Sequence, residues 1–181
     1  IPTVFPDAVL EEANRVSDVI STEELEGRVD LRQELTVTID GADAKDLDDA
    51  VALVKREDGT FVLTVSIADV SYYVTENSEM DKEAFERGTS VYLTDRVVPM
   101  LPQRLSNGIC SLHPYEERLT LTARMEIDRS GTIYQHEIFP SVIQSNERLT
   151  YDEVNVLFNT NEASEKITPE ISEMLWNMKE L

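Results

Sequence analysis

Two stretches in which apolar and polar residues alternate dominate the pattern of this 181-residue chain. In each stretch a polar, glycine-containing segment separates two alternating runs, which is the signature of a β-hairpin. The first hairpin joins residues 50–56 to 61–67 through Glu57-Asp58-Gly59-Thr60, and the second joins 118–127 to 132–142 through Asp128-Arg129-Ser130-Gly131. A largely apolar and β-branched run at 35–39 predicts a further strand ahead of the first hairpin.

Helical spacing and capping signals predict four helices around these strands. They cover residues 6–20, 78–87, 150–158 and a last segment that begins at Thr168-Pro169. Ser78 is the expected N-cap of the second helix and Gly88 its terminator. Residues 91–93 are predicted to be short and extended, and 99–114 irregular. The pattern therefore predicts an α+β fold in one domain, with a mainly antiparallel sheet built from hairpins and with peripheral helices.

An unusual cluster of acids interrupts this pattern between two apolar runs. The five aspartates within ten residues are Asp40, Asp43, Asp46, Asp48 and Asp49. Like charges so close raise each other's pKa and destabilise a fold unless a positive charge lies among them. Leu47, between two of these acids, indicates a loop folded back onto the core. Because Mg²⁺ prefers hard oxygen ligands, the cluster favours a divalent-metal site. A solvated acidic turn is the alternative that the residues leave open.

A calcium-binding EF-hand loop is excluded by the spacing. Counted from Asp46, position 5 is Ala50, and position 6, where the motif needs glycine, is Val51.

Composition narrows the function classes further. The chain contains 16 Lys and Arg against 36 Asp and Glu, a formal net charge of −20. Taken alone, this charge argues against nucleic-acid binding, which normally relies on Lys and Arg. The single cysteine, Cys110, excludes an intramolecular disulfide, and with two distant histidines it gives no sensible zinc site. No stretch is long or apolar enough to span a membrane.

Four blocks of the sequence resemble a known family. Residues 38–51, Thr-Ile-Asp-Gly-Ala-Asp-Ala-Lys-Asp-Leu-Asp-Asp-Ala-Val, resemble the metal-binding signature of the RNB catalytic domain in the ribonuclease II / ribonuclease R exoribonucleases. Blocks 66–74, 87–102 and 105–112 resemble later parts of the same domain in the same order. The resemblance runs from about Phe5 to beyond Thr150 and is closest to the ribonuclease R branch.

The resemblance implies a processive, Mg²⁺-dependent 3′-to-5′ exoribonuclease of the cytoplasm. Such enzymes take the single-stranded 3′ end of RNA and release nucleoside 5′-monophosphates, and neither DNA nor a membrane is an expected partner. The family's four functional aspartates fall on Asp40, Asp46, Asp48 and Asp49, which are the expected ligands of two Mg²⁺ ions. Asp46 and Asp48 are the expected catalytic residues. Tyr92 falls on the tyrosine that holds the 3′-terminal nucleotide.

The resemblance also implies that residues 1–181 are the N-terminal part of one RNB catalytic domain. The later half of that domain, which supplies an arginine and a glutamate, and the flanking cold-shock-type and S1-type RNA-binding domains are not found in the sequence. We therefore expect the chain alone to be inactive and to bind metal and RNA weakly. Two rival hypotheses are a non-catalytic RNB-like module that binds RNA and an unrelated acidic interaction domain.

Overall fold

The computed structural model describes residues 3–181, in which nine strands form two sheets. The strands are β1 (Val29–Asp30), β2 (Val37–Asp40), β3 (Asp49–Lys55), β4 (Phe61–Ala68), β5 (Val91–Tyr92), β6 (Val97–Val98), β7 (Glu117–Ile127), β8 (Ile133–Gln144) and β9 (Glu147–Thr150). Seven of them build the main sheet in the spatial order β1-β8-β7-β4-β3-β2-β9, while β5 and β6 form a separate small hairpin.

Five α-helices accompany the sheets in this part of the chain. They are α1 (Asp7–Arg15), α2 (Val70–Tyr73), α3 (Glu79–Arg87), α4 (Tyr151–Thr160) and α5 (Pro169–Glu180). The predicted caps of α3 are confirmed. The Ser78 hydroxyl accepts a hydrogen bond from the Asp81 amide, and Gly88 ends the helix with a φ of 73°. At the start of α4 the side chains of Thr150 and Glu153 form a reciprocal capping box. None of the helices in residues 3–181 has the length and apolarity needed to cross a membrane.

The two long hairpins and the α+β class are confirmed. Strands β3 and β4 pair antiparallel from Asp49 opposite Ile67 to Lys55 opposite Phe61. Strands β7 and β8 pair antiparallel over nearly their whole length, with a bulge at Glu126/Ile127. Each hairpin therefore rests on contacts between neighbours in sequence, which is why alternation was enough to predict it. The antiparallel pairing of β4 with β7, from Phe61 opposite Ile127 to Ala68 opposite Thr120, joins the two hairpins into one sheet.

The structure corrects three details of the prediction. Strand β9 was not foreseen, and it lies parallel to β2, with Thr38 opposite Arg148. The two-residue β1 likewise pairs parallel, with β8. Helix α1 ends at Arg15, short of residue 20, because the Arg104 guanidinium binds the carbonyls of Ala13 and Val16 and the chain turns extended at Val16.

Apolar side chains pack on both faces of the main sheet. On one face α1, α3 and the segment 105–112 cover a cluster that includes Val9, Met80 and Leu47. On the other face α4 and α5 cover a cluster that includes Leu53 of β3 and Leu149 of β9. Leu149 is 0% exposed, so the unforeseen strand is part of the core.

Leu149→Ala should destabilise the chain strongly. Removing a large buried side chain costs transfer free energy and leaves a cavity, together about 2–5 kcal/mol. Val156→Ala is the matched control, because Val156 lies on the neighbouring α4 and is 48% exposed, and we expect it to change stability by less than about 0.5 kcal/mol. Urea unfolding of both variants measures the difference, and equal effects would show that β9 is not part of the core.

Candidate functional site

Residues 41–48, here called the aspartate loop, connect β2 to β3. Leu47 anchors the loop, since its side chain is 0% exposed. Its amide donates to the Ser111 hydroxyl at 3.0 Å, and its carbonyl accepts the Leu112 amide at 2.8 Å. The Ser111 hydroxyl in turn donates to the carbonyl of Lys45 at 3.0 Å. The prediction that the loop folds back onto the core is confirmed, and a freely solvated turn does not describe it.

The four predicted aspartates lie where β2 ends and β3 begins. Asp40 is the last residue of β2 and Asp49 the first of β3. The carbonyl of Asp48 still accepts the amide of Ala68 at 2.9 Å, so extended pairing with β4 continues through this residue. Side chains alternate along an extended segment, and the adjacent Asp48 and Asp49 therefore point to opposite faces of the sheet.

The aspartates are close enough to repel one another. Partial burial, together with repulsion from Asp46, Asp49 and Asp40, raises the pKa of Asp48 to about 6, although the residue remains solvent-exposed. Burial and repulsion from Asp49 and Asp46 also raise the pKa of Asp40. By contrast, the fifth acid, Asp43, lies exposed in the loop.

The site has the chemistry that a hard cation needs. Oδ2 of Asp40 is buried and has no hydrogen-bond partner among the described residues. An unpartnered buried carboxylate oxygen among other carboxylates is a place where a positive charge would be stabilised. As they stand, no three His, Cys, Asp or Glu side chains in residues 3–181 are arranged to ligate one ion. The structure thus brings the acids into electrostatic contact without assembling a finished ligand cluster.

Tyr92 lies beside the aspartate loop and outside the core. It belongs to the β5–β6 hairpin and is 63% exposed. Its hydroxyl donates to Oδ2 of Asp46 at 2.5 Å, and this hydrogen bond is the main reason why the pKa of Tyr92 rises to about 12. The structure therefore joins two predicted site residues that are 46 positions apart, and it leaves the aromatic ring accessible.

Arg148 is a site residue that the sequence did not point to. One terminal nitrogen of its guanidinium lies 3.3, 3.0 and 2.7 Å from the carbonyl oxygens of Gly41, Ala42 and Ala44. Its positive charge also opposes the rise in the pKa of Asp40. The residue is carried on β9, which no sequence pattern separated from β8, so no local signal could have linked it to the loop.

Comparison with known proteins identifies the family. The RNB domain matches residues 28–181. Ribonuclease R 1 of Lactococcus lactis subsp. lactis is 54% identical over 181 residues, which are 100% of this chain and 22% of the relative. Ribonuclease R of Thermotoga maritima is 48% identical over 180 residues, 99% of this chain and 25% of the relative. The chain therefore belongs to the RNB domain family, and it spans about a quarter of the length of these curated relatives.

The fold agrees with this assignment. The structure of Mycoplasma genitalium RNase R in complex with ribose-methylated single-stranded RNA superimposes with a TM-score of 0.91 at 37% identity. The match covers 98% of this chain and 28% of that chain.

Asp48→Asn should stabilise the chain at neutral pH in the absence of divalent metal. The carboxylate of Asp48 is harder to ionise in the folded state, where its pKa is about 6, than at its ordinary value of 3.8. Its charge therefore destabilises the fold fully above about pH 6, and this contribution disappears as the pH falls below 3.8.

Thermal unfolding with a chelator present measures this effect. We expect Asp48→Asn to raise the melting temperature by a few degrees at neutral pH and to lose that advantage in acid. Asp43→Asn, in the same loop but exposed, is the control and should change little. A lower melting temperature for Asp48→Asn at neutral pH would contradict the repulsion described above.

Proposed function

We propose that this chain forms the front part of the catalytic domain of a Mg²⁺-dependent 3′-to-5′ exoribonuclease, which degrades RNA processively to nucleoside 5′-monophosphates. The observation that carries the proposal is the buried, unpartnered Oδ2 of Asp40 within a group of mutually repelling carboxylates. Two further facts support it: the chain belongs to the RNB domain family, and its relatives are named ribonuclease R.

Mg²⁺ is the cofactor that fits these side chains. We propose Asp40, Asp46, Asp48 and Asp49 as the residues that hold it, through one or two carboxylates per ion, with water and substrate phosphate as further ligands. When bound, a pair of such ions would supply positive charge to the reacting phosphate and make a nearby water more acidic. Asp46 and Asp48 would act closest to the reacting phosphate.

Tyr92 is the proposed contact for the 3′-terminal nucleotide. Its ring is exposed beside the carboxylates, while its hydroxyl is held by Asp46. A base stacked on such a ring gains roughly 1–3 kcal/mol without regard to its identity, which suits a nuclease that must accept every nucleotide. The same contact places the last phosphodiester near the aspartate loop.

The net charge of −20 limits what the chain can do alone. RNA binding draws most of its affinity from Lys and Arg that neutralise phosphates. The 12 ion pairs in residues 3–181 engage 11 of the 16 Lys and Arg side chains, since Arg32 takes part in two of them. We therefore propose that firm binding of a single-stranded 3′ end requires a polypeptide of the relatives' length.

In such a polypeptide, Asp48→Asn should abolish cleavage and spare RNA binding. Loss of one charge contact in the transition state costs on the order of 10²–10³-fold in rate. Release of nucleotides from a 3′-labelled single strand measures cleavage, and a filter-binding titration measures RNA retention. Asp43→Asn is again the control. Cleavage by Asp48→Asn within about tenfold of the unchanged enzyme would rule out the assigned role.

The same assay tests a second candidate function, a non-catalytic module that binds RNA. The family fold alone does not decide between the two, because function depends on the site. Strong RNA binding without cleavage in the unchanged polypeptide, with Mg²⁺ supplied, would favour the module.

Tyr92→Ala in that polypeptide should leave a longer end product, because the terminal nucleotide loses a stacking surface worth roughly 1–3 kcal/mol. Tyr92→Phe separates the two contacts of this residue, since it keeps the ring and loses only the hydrogen bond to Asp46. We expect the end product of Tyr92→Phe to keep its normal length. Gel analysis of the final products decides the matter, and a normal end product from Tyr92→Ala would show that the ring does not hold the nucleotide.

A further inference from the structure

We propose that Arg148 is a positioning residue that fixes the conformation of the aspartate loop and thereby sets the affinity of the site for a divalent cation. The part that concerns the cation rests on the proposed function. The part that concerns the loop stands on contacts within the chain and can be tested separately.

The contacts of Arg148 are made to the loop backbone. Its terminal nitrogen is within hydrogen-bond distance of the carbonyls of Gly41, Ala42 and Ala44, and three carbonyls around one nitrogen require the loop to curl about it. Inside the loop, the only other backbone bond among described residues is from the Ala44 amide to Gly41. Arg148 therefore holds the first half of the loop, as Ser111 and Leu112 hold the second half through Leu47.

Arg148 lies on a strand that is firmly anchored in the fold. Strand β9 pairs with β2 in register from Val37 opposite Glu147 to Asp40 opposite Thr150. The next residue, Leu149, is fully buried, and α4 begins directly after Thr150. A side chain carried on such a strand fixes the loop relative to Asp40, which ends the neighbouring strand.

Unpartnered polar atoms collect at the same place. Among the buried side-chain atoms of residues 3–181 that have no hydrogen-bond partner are Thr38 Oγ1, Asp40 Oδ2 and Arg148 Nε. Thr38 and Arg148 face each other across β2 and β9, and Asp40 lies two residues further on. A buried donor or acceptor without a partner is unfavourable, and such atoms are rare in native proteins. The guanidinium of Arg148 leaves the neighbouring Thr38 hydroxyl without a partner and contacts the loop carbonyls instead. Its side chain therefore serves the loop and not the strand pair.

Positioning and simple charge compensation predict opposite effects on cation binding. A positive side chain near carboxylates repels a cation, so removing its charge alone would strengthen binding. If Arg148 instead positions the loop, its removal weakens binding, as loss of residues that orient metal ligands does by about 10- to 100-fold. The sign of the change therefore separates the two roles.

The experiment uses the 181-residue chain and three variants, Arg148→Met, Arg148→Gln and Arg148→Lys. The first keeps an apolar stem, the second keeps a neutral donor, and the third keeps a charge with several donors at one nitrogen. Arg56→Met is the matched control, because Arg56 lies beyond the opposite end of β3 and pairs with Glu126. Two quantities are measured: amide hydrogen exchange without metal, and calorimetric binding of Mn²⁺ alone.

The Ala44 amide, bonded to the Gly41 carbonyl, reports on the half of the loop that Arg148 holds, and the Leu47 amide, bonded to Ser111, reports on the half that it does not hold. The amides of β7 and β8 report on global unfolding. In Arg148→Met and Arg148→Gln we expect exchange at the Ala44 amide to rise by about tenfold or more, with a smaller change at Leu47 and little change in β7 and β8. Mn²⁺ affinity should fall by about 10- to 100-fold, Arg148→Lys should recover most of both losses, and Arg56→Met should leave both unchanged.

Unchanged loop exchange in Arg148→Met overturns the proposal. Stronger Mn²⁺ binding in Arg148→Met and Arg148→Gln also overturns it, because it would show a counter-charge and no positioning role. A uniform rise in exchange across the chain would show that Arg148 stabilises the whole fold and has no specific effect on the loop, and it would also overturn the proposal. If the unchanged chain binds no Mn²⁺, the proposed metal site fails in this chain, and the loop amides and the lysine rescue still decide whether Arg148 positions the loop.

Discussion

The burial of Leu47 between charged neighbours is the contact on which the rest of the site depends. Its side chain is fully enclosed, and both its backbone groups are bonded to the segment that holds Ser111 and Leu112. Burying a leucine contributes roughly 1.5–3 kcal/mol, and the two backbone bonds add to that. The repulsion among Asp40, Asp46, Asp48 and Asp49 acts in the opposite direction. The core therefore holds the second half of the loop through Leu47, and this anchoring keeps the neighbouring carboxylates together against their repulsion.

The strands of the sheet bring the other side chains of the site close to this loop. Strands β2 and β3 meet only at Val37 opposite Val51, so the chain between them is free to form the loop. Strand β9 lies on the outer side of β2 and brings Arg148 beneath that loop. The β5–β6 hairpin brings Tyr92 to Asp46 from outside the main sheet. Three segments distant in sequence thus meet at one end of one strand pair.

The sequence could predict the elements that form between residues close in sequence. It could not predict the elements that form when distant segments pair. Alternation and a short turn determine a hairpin such as β3–β4, and Ser78 or Thr150 signal a helix start within a few residues. Strand β9 has four residues and follows β8 after a gap of two, so its pattern could not be separated from that of its neighbour. Its parallel partner β2 is about 110 positions away, a pairing that no local periodicity reports. Arg148 was missed because its strand was missed.

The hydrogen bond from Tyr92 to Asp46 would tie the proposed nucleotide contact to the carboxylates in a way that the two residues, taken separately, would not suggest. A phenol that donates to a carboxylate fixes the orientation of both groups, and this bond is a charge-assisted one. The ring of Tyr92 is exposed on a small hairpin whose strands pair at two positions. A base stacked on the ring, as proposed, would restrain the hairpin and, through the hydroxyl, also Asp46. Substrate binding would then complete the ordering of carboxylates that the fold brings close but does not assemble.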